Sequence, residues 1–202
     1  MVYLKTIAWC TLDWAGSSNP VLMWVRTWGF LFSLLMKFLL FPLMMFIGFV
    51  SFAQPDSLQP PFKRFPELPP IQILLSDSAT IYTKAQLHKK MPALFMVFSP
   101  ECSHCQHETE ELLAHKDELK NIQIVMITMH PIWMMKEFIA KYKLDELPNV
   151  VVGRDFNYFT PGYYSIHNLP FLAMYNKKGD LISAFEGSLG IPKVIEIFKA
   201  NE

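Results

Sequence analysis

Cys102 and Cys105 stand three residues apart in the stretch Phe98-Ser99-Pro100-Glu101-Cys102-Ser103-His104-Cys105, directly after a run of apolar residues. The run reads as a buried strand, Ser99-Pro100 as its end, and the cysteines as the opening of a helix. Side chains three apart at a helix start share one face, so the two sulfurs can reach each other. The first sits where free backbone N–H groups and the helix dipole favour negative charge. Thiolate is the reactive form of cysteine, so a dithiol placed this way can exchange with another protein's disulfide through a mixed disulfide.

The remaining cysteine is Cys10. Exported proteins usually place their cysteines in bridges that close longer loops. Once the N-terminal segment is set aside, the one possible bridge closes a very short loop, so the pair reads as reactive rather than structural. A zinc site built from Cys102, His104, Cys105 and His107 is the competing reading. Two imidazoles within one helical turn cannot both swing to the face of the two sulfurs, and structural zinc draws its ligands from separate segments. Gln106 breaks the Cys-x-x-Cys-His pattern of haem attachment. His88, His115, His130 and His167 are scattered and read as surface or loop residues. Met126, Met129, Met134 and Met135 read as core filling rather than a copper box.

Composition is 51% hydrophobic and 18% charged, and the apolar excess is local. Residues 21–53 carry only Arg26 and Lys37 as charged groups, and the rest of the chain is close to neutral. Nothing there points to a nucleic-acid surface. Met36-Lys37, the apolar run Phe38 to Val50 and the small residues Ser51 and Ala53 make residues 36–53 a secretory signal peptide, cleaved before Gln54. The alternative is a retained membrane anchor of which these residues form part. Residues 1–35 hold four of the five Trp without an amphipathic period. We read them as an extension upstream of the true start at Met36. The protein is therefore expected to be exported, with anchoring to the inner membrane through the N-terminal segment as the other outcome.

Residues 54–70 are proline-rich and read as an extended linker. Globular patterning runs over 71–202. Strands are expected at Ile71–Leu75, Thr80–Tyr82, Ala93–Phe98, Ile122–Met129, Val150–Val152, Phe171–Tyr175 and Leu181–Phe185. Helices are expected at Lys84–Lys90, Ser103–Leu119, Pro131–Tyr142 and Pro192–Ala200, with a helical turn inside Phe156–Tyr164. Asn176-Lys177-Lys178-Gly179-Asp180 reads as a hairpin loop. This order predicts an α/β fold, a central mixed sheet flanked by helices, with parallel pairing early and antiparallel pairing late.

A buried strand, a Cys-x-x-Cys at a helix start and an X-Pro before a late hairpin resemble the thioredoxin fold, over roughly Ile71 to Ala200. More narrowly, the chain resembles the exported thiol–disulfide oxidoreductases of the TlpA/ResA type, and Asp145 to Leu169 is compatible with their insertion between the two halves. The resemblance implies Cys102 as the attacking thiol, Cys105 as the resolving one, and a redox-active Cys102–Cys105 disulfide. It implies that Pro170, after Leu169, is cis and helps hold substrate backbone. Glu108 matches the glutamate of a Cys-x-x-Cys-x-x-Glu pattern and would handle protons, and Gly187 matches a glycine after the last strand. Glu101 stands where the family usually has Trp, and Met96 stands where thioredoxins bury an acid. His104, before the second cysteine, is expected to stabilise the thiolate. A Sco-like copper protein would place three residues between its cysteines; here there are two. The function expected is disulfide exchange with protein substrates, as a reductase rather than an oxidase, without cofactor or metal. Partners are disulfide- or dithiol-containing proteins and a membrane-bound reductant donor. The alternatives are a copper- or zinc-binding accessory protein on the same fold, and a redox-inert interaction module.

Overall fold

Seven strands form one mixed sheet in the order β2-β1-β5-β4-β3-β6-β7. They are β1 (Gln72–Leu74), β2 (Ile81–Thr83), β3 (Ala93–Val97), β4 (Gln123–Thr128), β5 (Val150–Arg154), β6 (Phe171–Tyr175) and β7 (Leu181–Glu186). This is a computed structural model, and it describes residues 59–201. The readings of the extension, the signal peptide or anchor, and the first linker residues lie outside the described residues. Strand β3 pairs parallel with β4, and β4 parallel with β5. Strand β6 runs antiparallel to β3, and β7 antiparallel to β6. The short β1–β2 ribbon joins antiparallel to β5 through Leu74 and Arg154. Every residue of β3, β4 and β6 is buried, which is why these segments are continuous apolar runs in the sequence rather than alternating ones.

Alternate residues of β3 and the residue that follows it feed two cores. Leu94, Met96 and Phe98 join Leu112, Met135, Phe138, Val194 and Phe198 on one face. Ala93, Phe95 and Val97 join Phe62, Tyr164, Phe171 and Tyr175 on the other. The first face is covered by α2 (Ser103–Ala114), α3 (Lys116–Leu119), α4 (Ile132–Tyr142) and α6 (Ile191–Ala200). The second is covered by α1 (Pro61–Arg64) and α5 (Phe159–Tyr164). Because β3, β4 and β5 run parallel, the chain leaves all three at the same edge. Strand β6 starts there and β7 ends there. Cys102, the Leu169-Pro170 dipeptide and Gly187 therefore meet along one rim.

Three local expectations change. Lys84–Lys90 is only a 3-10 turn over Lys84–Gln86, closed by a capping box in which Thr83 N–H donates to Gln86 Oε1 at 2.6 Å. Lys90 takes a left-handed φ of 66°, and Pro92 disfavours helical geometry at the residue before it. The helix expected to run to Leu119 breaks at His115, whose ring Nδ1 lies 2.9 Å from Glu118 Oε1 across the break. The proline-rich segment is not simply extended: it contains α1, whose Phe62 is buried against Tyr164 and Phe171. Its carbonyls are used as acceptors. Tyr163 OH donates to Phe65 O at 2.8 Å, and Leu181 N–H donates to Pro66 O at 2.6 Å.

Gly153 in β5 marks the tightest joint of the sheet. A Cβ there would lie 2.6 Å from Cδ1 and 2.7 Å from Cγ1 of Ile73 on β1. Gly153→Ala is expected to destabilise the fold by about 1–3 kcal/mol through overpacking, read as a lower urea midpoint. Adding Ile73→Ala should make the double variant more stable than the sum of the two single costs predicts.

Candidate active site

The strand-to-helix turn that carries the cysteines is held by backbone bonds on both sides. Phe98 N–H donates to Ile127 O at 2.9 Å, extending the β3–β4 register by one residue. Cys102 N–H donates to Ser99 O at 3.1 Å, and Gln106 Nε2 donates to Pro100 O at 2.8 Å. Cys102 is the N-cap of α2, with extended φ and ψ of −79° and 115°. Its sulfur accepts the N–H of Cys105 at 3.3 Å, the position a Ser or Asp oxygen takes in an ordinary cap. Cys102 is half-buried, Cys105 is fully buried, and both are free thiols. Burial, reinforced by the hydrogen bond to Cys102, pushes the Cys105 thiol up to about 12. One sulfur is thus presented at the rim, while the other keeps its proton beneath it.

The Leu169–Pro170 peptide is cis, as the resemblance implies. The Cys102 thiol donates to Leu169 O at 3.7 Å, so the dipeptide faces the dithiol. Two anchors hold it there. Gly187 N–H donates to Pro170 O at 2.7 Å. Glu186, the last residue of β7, accepts His167 N–H at 3.0 Å through Oε1 and Asn168 Nδ2–H at 3.3 Å through Oε2. The His167 N–H is the main reason the Glu186 carboxyl is held below the usual carboxylate range. The sequence reading missed Glu186. Its signal was an acid directly before Gly187, but its partnership depends on the register that sets it opposite Phe171.

Glu108 is fully buried one helical turn beyond Cys105. Its Oε2 accepts the Ser188 hydroxyl at 2.6 Å and Gly190 N–H at 3.4 Å. Its Oε1 has no hydrogen-bond partner among the described residues. Glu111 accepts Ile191 N–H at 2.9 Å, so two α2 glutamates meet the N-terminus of α6, where negative charge is favourable. His104 is exposed and forms no hydrogen bond or ion pair among the described residues. His107 lies 3.6 Å from Glu111 Oε1. Met96 is fully buried, and Glu101 is exposed. The structure therefore brings Cys102, Cys105, Leu169 and Pro170 together, sets Glu108 on the buried side of α2, and leaves His104 in solvent. Among the described residues no three His, Cys, Asp or Glu side chains group closely enough to hold a metal ion.

The sequence matches no protein-family model and no curated protein significantly. Solved structures do match. A secreted Mycobacterium tuberculosis disulfide oxidoreductase homologous to Escherichia coli DsbE aligns with a TM-score of 0.54 at 18% identity, over 64% of this chain and 95% of that one. A thiol-disulfide oxidoreductase from Bacteroides fragilis aligns with a TM-score of 0.54 at 16% identity, over 65% of this chain and 99% of that one. The peroxidoxin BcpB of M. tuberculosis aligns with a TM-score of 0.58 at 10% identity, over 67% of this chain and 96% of that one. A mixed seven-stranded sheet flanked by helices, with these structural likenesses, gives this chain the thioredoxin fold.

Proposed function

We propose that this chain is an extracytoplasmic thiol–disulfide oxidoreductase of the TlpA/ResA-like kind, acting on disulfides of protein substrates. The observation that carries the reading is the asymmetry of the dithiol. Cys102 caps the helix at the rim against the carbonyl before a cis-proline, while Cys105 is buried behind it with its thiol pushed up to about 12. In the proposed cycle the Cys102 thiolate attacks one sulfur of the substrate disulfide. That S–S bond breaks, the other substrate sulfur leaves as thiolate and takes up a proton, and a mixed disulfide forms. Cys105 then loses its proton and attacks Cys102 Sγ. The Cys102–Cys105 bond forms, the second substrate sulfur leaves, and two electrons have passed from the protein to the substrate. A dithiol donor restores the starting state, and a membrane-bound reductant donor suits that role.

In this reading Leu169 and Pro170 hold the substrate backbone beside Cys102. Glu108, with one buried oxygen unpartnered, is the group that accepts the Cys105 proton. His104, exposed two residues after Cys102 in the chain, acts on Cys102 through its charge when protonated. We infer the reducing direction, and export through the signal pattern at residues 36–53. The described resemblance to a secreted relative supports export. Insulin reduction alongside metal titration distinguishes disulfide exchange from a metal-binding or redox-inert role.

Three outcomes are expected. The Cys105→Ser protein should accumulate mixed disulfides with substrate on non-reducing gels, whereas Cys102→Ser should accumulate none. The second concerns pH. An unfolded thiol titrates near its ordinary value of about 8.5, and the folded Cys105 thiol near about 12. Its contribution to stability is therefore full below about pH 8.5 and is lost as pH rises toward the folded value. The stability difference between reduced wild type and Cys105→Ala should fall by up to about 2 kcal/mol between pH 8 and pH 10, and urea unfolding at the two pH values reads it. Third, intact mass of the protein from its native envelope should place the first residue at Gln54. A species retaining residues 1–53 would favour the anchor.

A further inference from the structure

A cleft of about 470 Å³ opens at the end of the sheet away from the dithiol. The register fixes its place. Gln123, in its lining, pairs with Ala93 at the start of β3, whereas Cys102 follows the end of that strand. Strand β3 is five residues long, about 17 Å at the usual rise of a strand. The floor of the cleft is apolar. Val125 is part of the core on the sheet face opposite α2, and Tyr82 and Val151 pack against that core. Met91 joins them in the lining.

Two amide side chains hold the walls. Gln123 Oε1 accepts His88 N–H at 2.8 Å, and its Nε2 donates to His88 O at 3.2 Å and to Met91 O at 3.1 Å. Asn149 Nδ2 donates to Leu119 O at 3.0 Å and to Ile122 O at 2.8 Å. The chain on both sides of the cleft is thereby tied to the strand starts. The cleft exists before any ligand arrives, so little ordering cost falls on binding. Its charge is of one sign. Lys89 and Lys120 line it, both exposed, and among the described residues no Asp or Glu does. Neither ammonium forms a hydrogen bond or ion pair among the described residues, and the His88 ring at the same edge is likewise unpartnered among them.

We propose that this cleft binds a small organic anion, its carboxylate or phosphate meeting Lys89 and Lys120 and its ring-sized apolar body lying against Tyr82, Val125 and Val151. The volume falls within the range of small-molecule sites, about 300–1,000 Å³, and the lining has their usual division into an apolar floor and a few polar groups. Lysine ammoniums act as point charges on flexible stems, so they serve either anion. A neutral ring would leave both cations unused, and a bare anion would leave the apolar floor uncovered. The ligand therefore needs both parts. The dithiol takes no part in this site, which stands or falls independently of disulfide exchange.

The test is equilibrium dialysis of the full chain against phenyl phosphate and phenylacetate, with inorganic phosphate and benzyl alcohol as the anion without a ring and the ring without an anion. At least one aromatic anion should bind about tenfold or more tightly than both comparison compounds. Charge reversal at the two exposed lysines, Lys89→Glu with Lys120→Glu, should weaken that binding by about tenfold or more at low salt, and added salt should weaken it in the wild type. Should the double variant not fold, the single Lys120→Gln must still weaken it. Cys102→Ser should bind as the wild type does. No binding of either aromatic anion at millimolar concentration overturns the site. So does equal binding of benzyl alcohol or inorganic phosphate, or an affinity that the lysine substitutions leave unchanged. Loss of binding in Cys102→Ser would place the ligand at the dithiol rim and overturn it equally.

Discussion

Strand β3 has no solvent-facing side, and the rest of the molecule is arranged around that constraint. All five of its residues are buried, so it must be paired on both edges and covered on both faces. Parallel pairing with β4 and antiparallel pairing with β6 satisfy the edges. Helices α2, α4 and α6 cover one face, and α1 and α5 the other. A central strand whose chain must then turn onto one of those faces ends in a helix N-terminus at the sheet rim. That is where Cys102 stands. The neighbour on the other edge, β6, begins at the same rim, which is how Leu169 and Pro170, far away in sequence, come to face the sulfur.

The two thiols differ because of where this turn leaves them. Cys102 occupies the cap, with the Cys105 N–H on its sulfur and solvent beside it. Cys105 is one turn in, fully buried, and its thiol is pushed upward chiefly by that burial. The two thiols thus differ in exposure, and on β3 Met96 rather than an acid takes the buried position. Leu169 divides the two faces of the sheet, touching the dithiol core on one side and the aromatic core on the other.

Much of this was legible in the residues, and the limits have physical causes. Continuous apolar runs marked β3, β4 and β6. Pro131 marked the start of α4, and the Asn176–Asp180 loop marked the final hairpin. The cysteine spacing placed the dithiol on the correct turn. What escaped depended on partners distant in sequence. Phe62 is buried only because Tyr164 and Phe171 lie over it, so a proline-rich segment that looked like a linker carries α1. Glu186 anchors the cis-proline loop only through the β6–β7 register. The Glu108 side chain is directed to Ser188 and Gly190 by the approach of α6, and no periodicity in α2 announces that. His115 breaks a pattern that otherwise reads as one helix.

Everything proposed for the dithiol requires that Cys102 and Cys105 form a reversible two-electron couple. Equilibrating the full chain across a series of glutathione redox buffers, quenching the thiols and reading the pair by mass tests it directly. A single two-electron transition is expected at a reducing potential, near the value of about −270 mV typical of thioredoxin, with no transition in the Cys102→Ser protein. A pair that remains two free thiols across the whole series would contradict it.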